Sequence, residues 1–267
     1  MAIRLIAMDL DGTLLNSEKL ISARTFAALQ RAQKLGVKTT IATGRMFLSA
    51  EYFGRQIAAN APLICCNGGL VQEMGGTRPL FAHYLQPAVV QRLLTLCHER
   101  GWYVQWYIGN DILAEDFRPE YFQAYRTVKN FRVREVGSSF LDYTEKVLQC
   151  VVRDGHGQID AVVAELQQHF TAKELCPQQN TAFSVDLTPP MVDKSVGLSA
   201  LADSLGITPA EIMACGDADN DLAMLRYAGT SVVPANGLPQ ARELASFLTD
   251  SCDDDGIARA IEELVLH

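Results

Sequence analysis

The chain lacks most of what would send a protein to a membrane, a nucleic acid or a zinc ion. Its apolar runs fall well short of the ~18 residues that a spanning helix needs. The N-terminus enters a strand-like run at Ile3 with no leader pattern. A soluble, cytoplasmic protein is expected. No cluster of Lys and Arg interrupts a composition of 23 basic against 31 acidic residues, net −8. Neither nucleic acid nor an anionic membrane is therefore an expected partner, and an anionic substrate would need local positive charge. The seven cysteines are an odd count, and none has a Cys-x-x-Cys or Cys/His spacing that suggests zinc. Cys65, Cys66, Cys150 and Cys215 sit in apolar strand-like runs, as buried thiols of a reducing compartment do. There is no internal repeat and no low-complexity segment.

What is present is a chain of 267 residues, 48% hydrophobic, long enough for one large α/β domain or for a core with a smaller second domain. It is organised around its start. Ile3 to Met8 is a short apolar run that reads as a strand buried on both faces in a parallel sheet. It ends in Asp9 and Asp11, two apart and so on one face if the extended backbone persists. They stand at the carboxyl edge where open α/β sheets bind ligands, and Gly12 then turns the chain away. Two carboxylates this close repel unless a cation lies between them or one keeps a proton, which points to a hard divalent ion such as Mg²⁺. Taken alone, the pair reads equally as a strand end with an Asx turn.

The same grammar repeats. Ser22 caps a helix over 23–35 that ends at Gly36, and a strand from Val37 to Ala42 runs into Thr43-Gly44-Arg45. A third strand, Pro62 to Cys66, runs into Asn67-Gly68-Gly69, a turn placed to bring backbone amides to the same edge. Val71 to Ala82 reads as a hairpin. From about His83 the pattern becomes α+β, with a helix over 87–100, hairpin strands Tyr103–Tyr107 and Ile112–Ala114, a strand Val147–Val152, a helix over 158–169 and a last strand Thr181–Leu187. Trp102, Tyr103, Trp106 and Tyr107 are expected to pack this segment's core, with one of them alternatively on its open face. After Thr188-Pro189-Pro190 the βα grammar returns. Lys194 opens a helix, and the strand Ile212–Cys215 ends in Gly216-Asp217-Ala218-Asp219-Asn220-Asp221. Asp217, next to that strand end, is the first choice for a second metal-binding carboxylate. Asp219 reads as a helix cap or a solvent-facing residue, and Asp253-Asp254-Asp255 as the solvated start of the last helix.

Asp9-Leu10-Asp11-Gly12-Thr13, Thr43, Lys194 and Gly216-Asp217-x-x-Asn220-Asp221, in that order, resemble the four motifs of the haloacid dehalogenase (HAD) superfamily. The inserted α+β segment, Asn67-Gly68-Gly69 and Asp253-Asp254-Asp255-Gly256 resemble its Cof-like subfamily. The resemblance implies a Rossmann-like parallel-sheet α/β core over 1–83 and 188–267, with an inserted α+β cap over 84–187. It implies a Mg²⁺-dependent phosphomonoester hydrolase of small phosphorylated metabolites, sugar phosphates favoured. In that family Asp9 would be the nucleophile that becomes an aspartyl-phosphate, Asp11 the acid/base, and Thr43 and Lys194 the rest of the catalytic set. Leu10, Gly12, Thr43, Gly44, Lys194 and Asn220 would surround the phosphate. Asp9, Asp11 through its carbonyl, Asp217 and Asp221 would serve the metal. Arg45 and Asn67 are further candidates for substrate contact, Arg45 reading alternatively as a surface ion pair. Two positions depart from the subfamily: Ser195 stands where a Gly usually follows the lysine, and Pro234-Ala235-Asn236 replaces the usual Met-Gly-Asn. The rival functions are a phosphosugar mutase of the same superfamily and a phosphate-binding regulatory protein that does not turn over. Asp11 argues against the second, because a mere acceptor needs no acid/base partner. Nothing in the sequence sets an oligomeric state.

Overall fold

The structure, a computed structural model, describes residues 2–122, 132–154, 157–181 and 183–266. The chain falls into two compact units, one formed by Met1–Arg45, Ala50–Phe81 and Asp193–His267, the other by Met46–Ser49 and Ala82–Val192. The elements run β1 (Leu5–Met8), α1 (Ala23–Lys34), β2 (Lys38–Ile41), α2 (Phe47–Gln56), β3 (Leu63–Cys65), β4 (Leu70–Gln72) and β5 (Phe81–Ala82). Next come α3 (Pro87–Arg100), β6 (Tyr103–Ile108), β7 (Asp111–Ala114), β8 (Arg132–Glu135), β9 (Val147–Arg153), α4 (Ile159–His169), β10 (Cys176–Thr181) and β11 (Ser184–Thr188). The chain closes with α5 (Lys194–Leu205), β12 (Ile212–Cys215), α6 (Leu222–Tyr227), β13 (Thr230–Pro234), α7 (Pro239–Glu243), β14 (Phe247–Thr249) and α8 (Gly256–Leu264).

In the first unit five parallel strands stand in the order β14-β13-β12-β1-β2. Leu5 to Met8 are wholly buried, as a continuous apolar run between two helical layers requires. The Pro62–Cys66 run behaves differently from the expected further parallel strand. β3 forms no ladder with the main sheet among the described residues and meets it at an isolated parallel bridge, Ala42 to Ile64. Its ladder is antiparallel with β4, in a separate three-stranded sheet β3-β4-β5. The helix ends follow their chemistry. The Thr25 amide donates to Ser22 Oγ at 3.0 Å at the head of α1, and Asp193 accepts from the amides of Ser195 and Val196 at the head of α5.

The second unit is built on a six-stranded sheet, β10-β11-β9-β6-β7-β8. Val104 and Trp106 of β6, Cys150 and Val152 of β9 and Val185 and Leu187 of β11 share one parity and cluster with α3 and α4. Trp106 belongs to this packed face and stacks on Phe140 at 4.7 Å, whereas Tyr103 and Tyr107 take the opposite parity, with Gln105 and Gln149. Two strands escape the sequence pattern. Arg132–Glu135 is a largely exposed edge strand without an apolar repeat, and Cys176–Thr181 opens on Cys-Pro-Gln-Gln, a poor strand former that lies at the other edge. The single strand expected over Thr181–Leu187 is thus a hairpin of β10 and β11, with residue 182 outside the described residues. Among the described residues no helix is long and apolar enough to cross a membrane.

One close approach fixes the start of α5. Gly68 has φ +95°, and a Cβ there would stand 1.9 Å from the Asp193 carbonyl oxygen. Gly68→Ala combines left-handed strain with that clash, so it is expected to cost ~2 kcal/mol or more. The loss reads as a lower denaturant midpoint at unchanged slope, and an unchanged midpoint would show that the loop simply yields.

Candidate active site

Strand register delivers the polar residues to one edge. Met8 pairs with Cys215 on one side and with Ile41 on the other, so the residues that follow each strand emerge together. The Asp9 amide donates to the Cys215 carbonyl at 2.9 Å and the Ala42 amide to the Met8 carbonyl at 2.8 Å. Gly12 brings the first loop against the fourth: φ is +82°, and a Cβ there would lie 2.4 Å from Asp217 Oδ2.

At the centre is Lys194, a fully buried ammonium. Its Nζ donates to Asp9 Oδ1 and to Asp221 Oδ1, both at 2.6 Å. Burial alone would favour loss of its proton, but the charges and hydrogen bonds of Asp221 and Asp9 outweigh this and raise its pKa above the ordinary lysine value. Asp9 is itself pushed up to about 8, by burial first and then by the charges of Asp221 and Asp217, with Lys194 opposing. Burial likewise pushes Asp217 up to about 6, against the hydrogen bond from Thr13.

The acids divide into three kinds. Both oxygens of Asp221 have donors: Oδ1 takes Lys194, and Oδ2 accepts from the amides of Asp217 at 2.9 Å and Ala218 at 3.0 Å. Asp9 and Asp217 each keep an oxygen with no donor among the described residues, since Lys194 takes Asp9 Oδ1 and Thr13 Oγ1 takes Asp217 Oδ1 at 2.6 Å. Asp11 stands apart and half-exposed. Arg45 Nε donates to its Oδ2 at 2.8 Å, Arg45 Nη2 to its Oδ1 at 2.6 Å, and Lys19 Nζ to Oδ1 at 2.8 Å. Burial would raise its pKa, yet these two cations hold the carboxyl below its ordinary value.

Around them, Thr43 is buried and its Oγ1 accepts from the Arg45 amide at 3.2 Å. The Asn67 amide, expected to face the site, is used on the Thr43 carbonyl at 3.1 Å. The Asn67 side chain instead accepts from Asn220 Nδ2 at 3.0 Å, and a Cβ on Gly44 would press on it at 2.9 Å. The amides of Leu10 and Gly44 have no acceptor among the described residues. Asp219 is exposed. Ser195 adds its hydroxyl to the Asp193 cap, leaving Lys194 in place. Of the two readings of Arg45, the ion pair is the one present: its guanidinium, largely buried, forks onto Asp11 and lies 5.1 Å from the Phe53 ring centroid.

The donor set suits a hard cation. Asp9, Asp217 and Asp221 each place a carboxylate oxygen within 4.8 Å of the others, all ligands are oxygen, and the two undonated oxygens belong to Asp9 and Asp217. Two buried acids and the partly buried Asp217 against one ammonium leave an excess of carboxyl groups that a divalent ion would offset. Sequence reasoning missed two contributors. Thr13 lies inside the first motif but carries no charge to draw notice, and Lys19 meets Asp11 through a loop that no periodicity describes.

These shifts carry a sign. Asp9 and Asp217 bind protons more tightly folded than unfolded, from the ordinary 3.8 to about 8 and about 6. The stability they contribute is therefore present at low pH and lost as pH rises through those values. The thermal midpoint of metal-free protein is expected to fall from about pH 5 to about pH 8.5, and Mg²⁺ to restore most of the loss at the upper end. A flat or rising midpoint without metal would contradict the geometry.

The comparisons with known proteins point to one family. A family model for haloacid dehalogenase-like hydrolases matches residues 6–261. The chain is 32% identical to the HMP-PP phosphatase of Cronobacter sakazakii over 89% of this chain and 86% of that one. It is 28% identical to the 5-amino-6-(5-phospho-D-ribitylamino)uracil phosphatase YitU of Bacillus subtilis over 97% and 96%. A crystal structure of a haloacid dehalogenase-like hydrolase from Bacteroides thetaiotaomicron superposes with a TM-score of 0.89 at 28% identity, covering 98% of this chain and 99% of that one. The family match runs from the first strand to the last helix, and the protein belongs to the haloacid dehalogenase-like hydrolases, as an enzyme of their Cof-like phosphatase group.

Proposed function

We propose that this enzyme is a Mg²⁺-dependent phosphomonoesterase that passes the phosphoryl group through Asp9, acting on small phosphorylated metabolites, sugar phosphates first among them. The observation that carries the reading is the placement of the Asp9 carboxylate. One oxygen is pinned by Lys194 and the other has no donor among the described residues, and the amides of Leu10 on its own loop and of Gly44 on the loop after β2 have no acceptor among them. The relatives named above act on compounds that their names describe as phosphorylated small molecules, which supports the substrate class but leaves the leaving group open. The segment 84–187 is read as the cap that selects it.

In the first half-reaction the free Asp9 oxygen attacks phosphorus, the bond from phosphorus to the ester oxygen breaks, and that oxygen takes a proton from Asp11. In the second, water attacks the same phosphorus, gives its proton to Asp11, and inorganic phosphate leaves with Asp9 regenerated. Arg45 and Lys19 hold Asp11 in the base form that the second step needs. A phosphate dianion brought alongside raises its affinity for the proton that the first step needs, because like charges disfavour ionisation. Lys194, Thr43, Asn220 and the amides of Leu10, Gly12 and Gly44 would hold the phosphoryl oxygens. Asp9 and Asp217 would hold Mg²⁺, with the Asp11 carbonyl beside them and Asp221 orienting the loop and Lys194. The ion would offset the charge of the acids and of the phosphoryl group.

Purified protein is expected to release phosphate from p-nitrophenyl phosphate only with Mg²⁺. Asp9→Asn is expected to lower kcat by ~10⁴-fold or more with the fold intact by circular dichroism. Retained turnover in that variant removes the mechanism. A screen of phosphorylated metabolites ranked by kcat/KM then identifies the class, and isomerised sugar phosphate without released phosphate would mark a mutase instead.

A further inference from the structure

Asn236 and Asp253 take no part in the chemistry above, yet their hydrogen bonds, joined by short stretches of chain, lead to Asp11. Asn236 Nδ2 donates to the Gly12 carbonyl at 2.8 Å, and Asn236 Oδ1 accepts from the Cys252 amide at 2.9 Å. The next residue, Asp253, accepts from the Ser17 amide at 2.7 Å. Ser17 belongs to a tight loop in which Asn16 accepts from the amides of Lys19 at 2.9 Å and Leu20 at 2.8 Å. Lys19 is left-handed, φ +60°, and its Nζ reaches Asp11 Oδ1. Far from being only a solvated helix start, the acidic run is tied by Asp253 to the loop that carries Lys19.

The energetics point to geometry rather than stability. A non-glycine residue in the left-handed region costs more than an ion pair as exposed as this one returns, so the conformation persists because its surroundings over-determine it. The pair's effect is on the carboxylate. Oδ1 receives two donors, Lys19 Nζ and Arg45 Nη2, while among the described residues Oδ2 receives only Arg45 Nε. A carboxylate oxygen offers two lone-pair sites, so Oδ1 is filled and Oδ2 keeps room for a proton.

From this geometry we infer that Lys19, braced by Asn236 and Asp253, is a positioning residue of Asp11. It occupies Oδ1 and makes Oδ2 the oxygen that hands the proton to the leaving group. The inference rests on the acid/base reading of Asp11, and its test separates the two. Each variant is assayed with Mg²⁺ on p-nitrophenyl phosphate, whose leaving group needs little protonation, and on an alkyl phosphate. The alkyl ester is whichever of glucose 6-phosphate and glycerol phosphate the wild type turns over faster. For Lys19→Met the ratio of alkyl to aryl kcat is expected to fall ~10-fold or more with KM changed less than about twofold, since proton transfer contributes 10² or more. Asp253→Asn and Asn236→Ala should move the ratio the same way, and Lys19→Arg should recover most of it. An unchanged ratio in Lys19→Met, whether both esters fall together or neither falls, overturns the inference when Asp11→Asn does lower that ratio. If Asp11→Asn also leaves the ratio unchanged, the acid/base reading falls with it. Lys19 is partly exposed, so its loss is compatible with folding, and the thermal midpoint checks this.

Discussion

A lysine ammonium sealed from water is tolerable only when opposite charge surrounds it, and the core unit is arranged to meet that demand at Lys194. Asp9 arrives from the end of β1 and Asp221 from the loop after β12, each 2.6 Å from Nζ. Moving any one of the three elements would leave an uncompensated buried charge. The cap on α5, the glycine at 68 and the register of β1 against β12 are what hold the three in place. A single ion pair network thus fixes the distances on which the remaining chemistry depends.

The same network leaves a deliberate imbalance. With Lys194 satisfied, three acids still outnumber it, and a divalent cation held between them would offset that excess against an incoming phosphate. The acids are differentiated by what already touches them. Asp221 has donors on both oxygens, Asp9 and Asp217 keep one each without a donor among the described residues, and Asp11 is turned toward cations of its own on the more exposed side. Four carboxylates of similar intrinsic acidity are in this way set apart by burial and partners rather than by residue type.

Much of this was written into the linear chain because the βα grammar is local. A buried apolar run followed by polar residues marks a strand's carboxyl end, and that rule places Asp9, Thr43 and Asp217 just after β1, β2 and β12, where they stand. Ser22 and Gly36 punctuated α1 by equally local rules. What escaped was non-local or edge-like. Arg132–Glu135 and Cys176–Thr181 lie at the two edges of their sheet, where the one carries no apolar alternation and the other a proline among amides. The grip of Arg45 and Lys19 on Asp11 spans loops that fold back through tertiary contacts, and the Asn236 to Asp253 brace closes separations of more than 200 residues. No periodicity encodes such meetings. At the two departures from the subfamily, Ser195 joins the α5 cap and Asn236 donates to the Gly12 carbonyl.

The central claim is that the oxygen of Asp9 left uncovered by Lys194 becomes covalently bonded to phosphorus. Rapid acid quenching of the enzyme during turnover, followed by peptide mapping, tests it directly. The account predicts a phosphoryl group on the peptide that carries Asp9, formed and consumed at rates consistent with phosphate release. Phosphate released with no protein-bound phosphoryl at any time, or with the label on another residue, would contradict it.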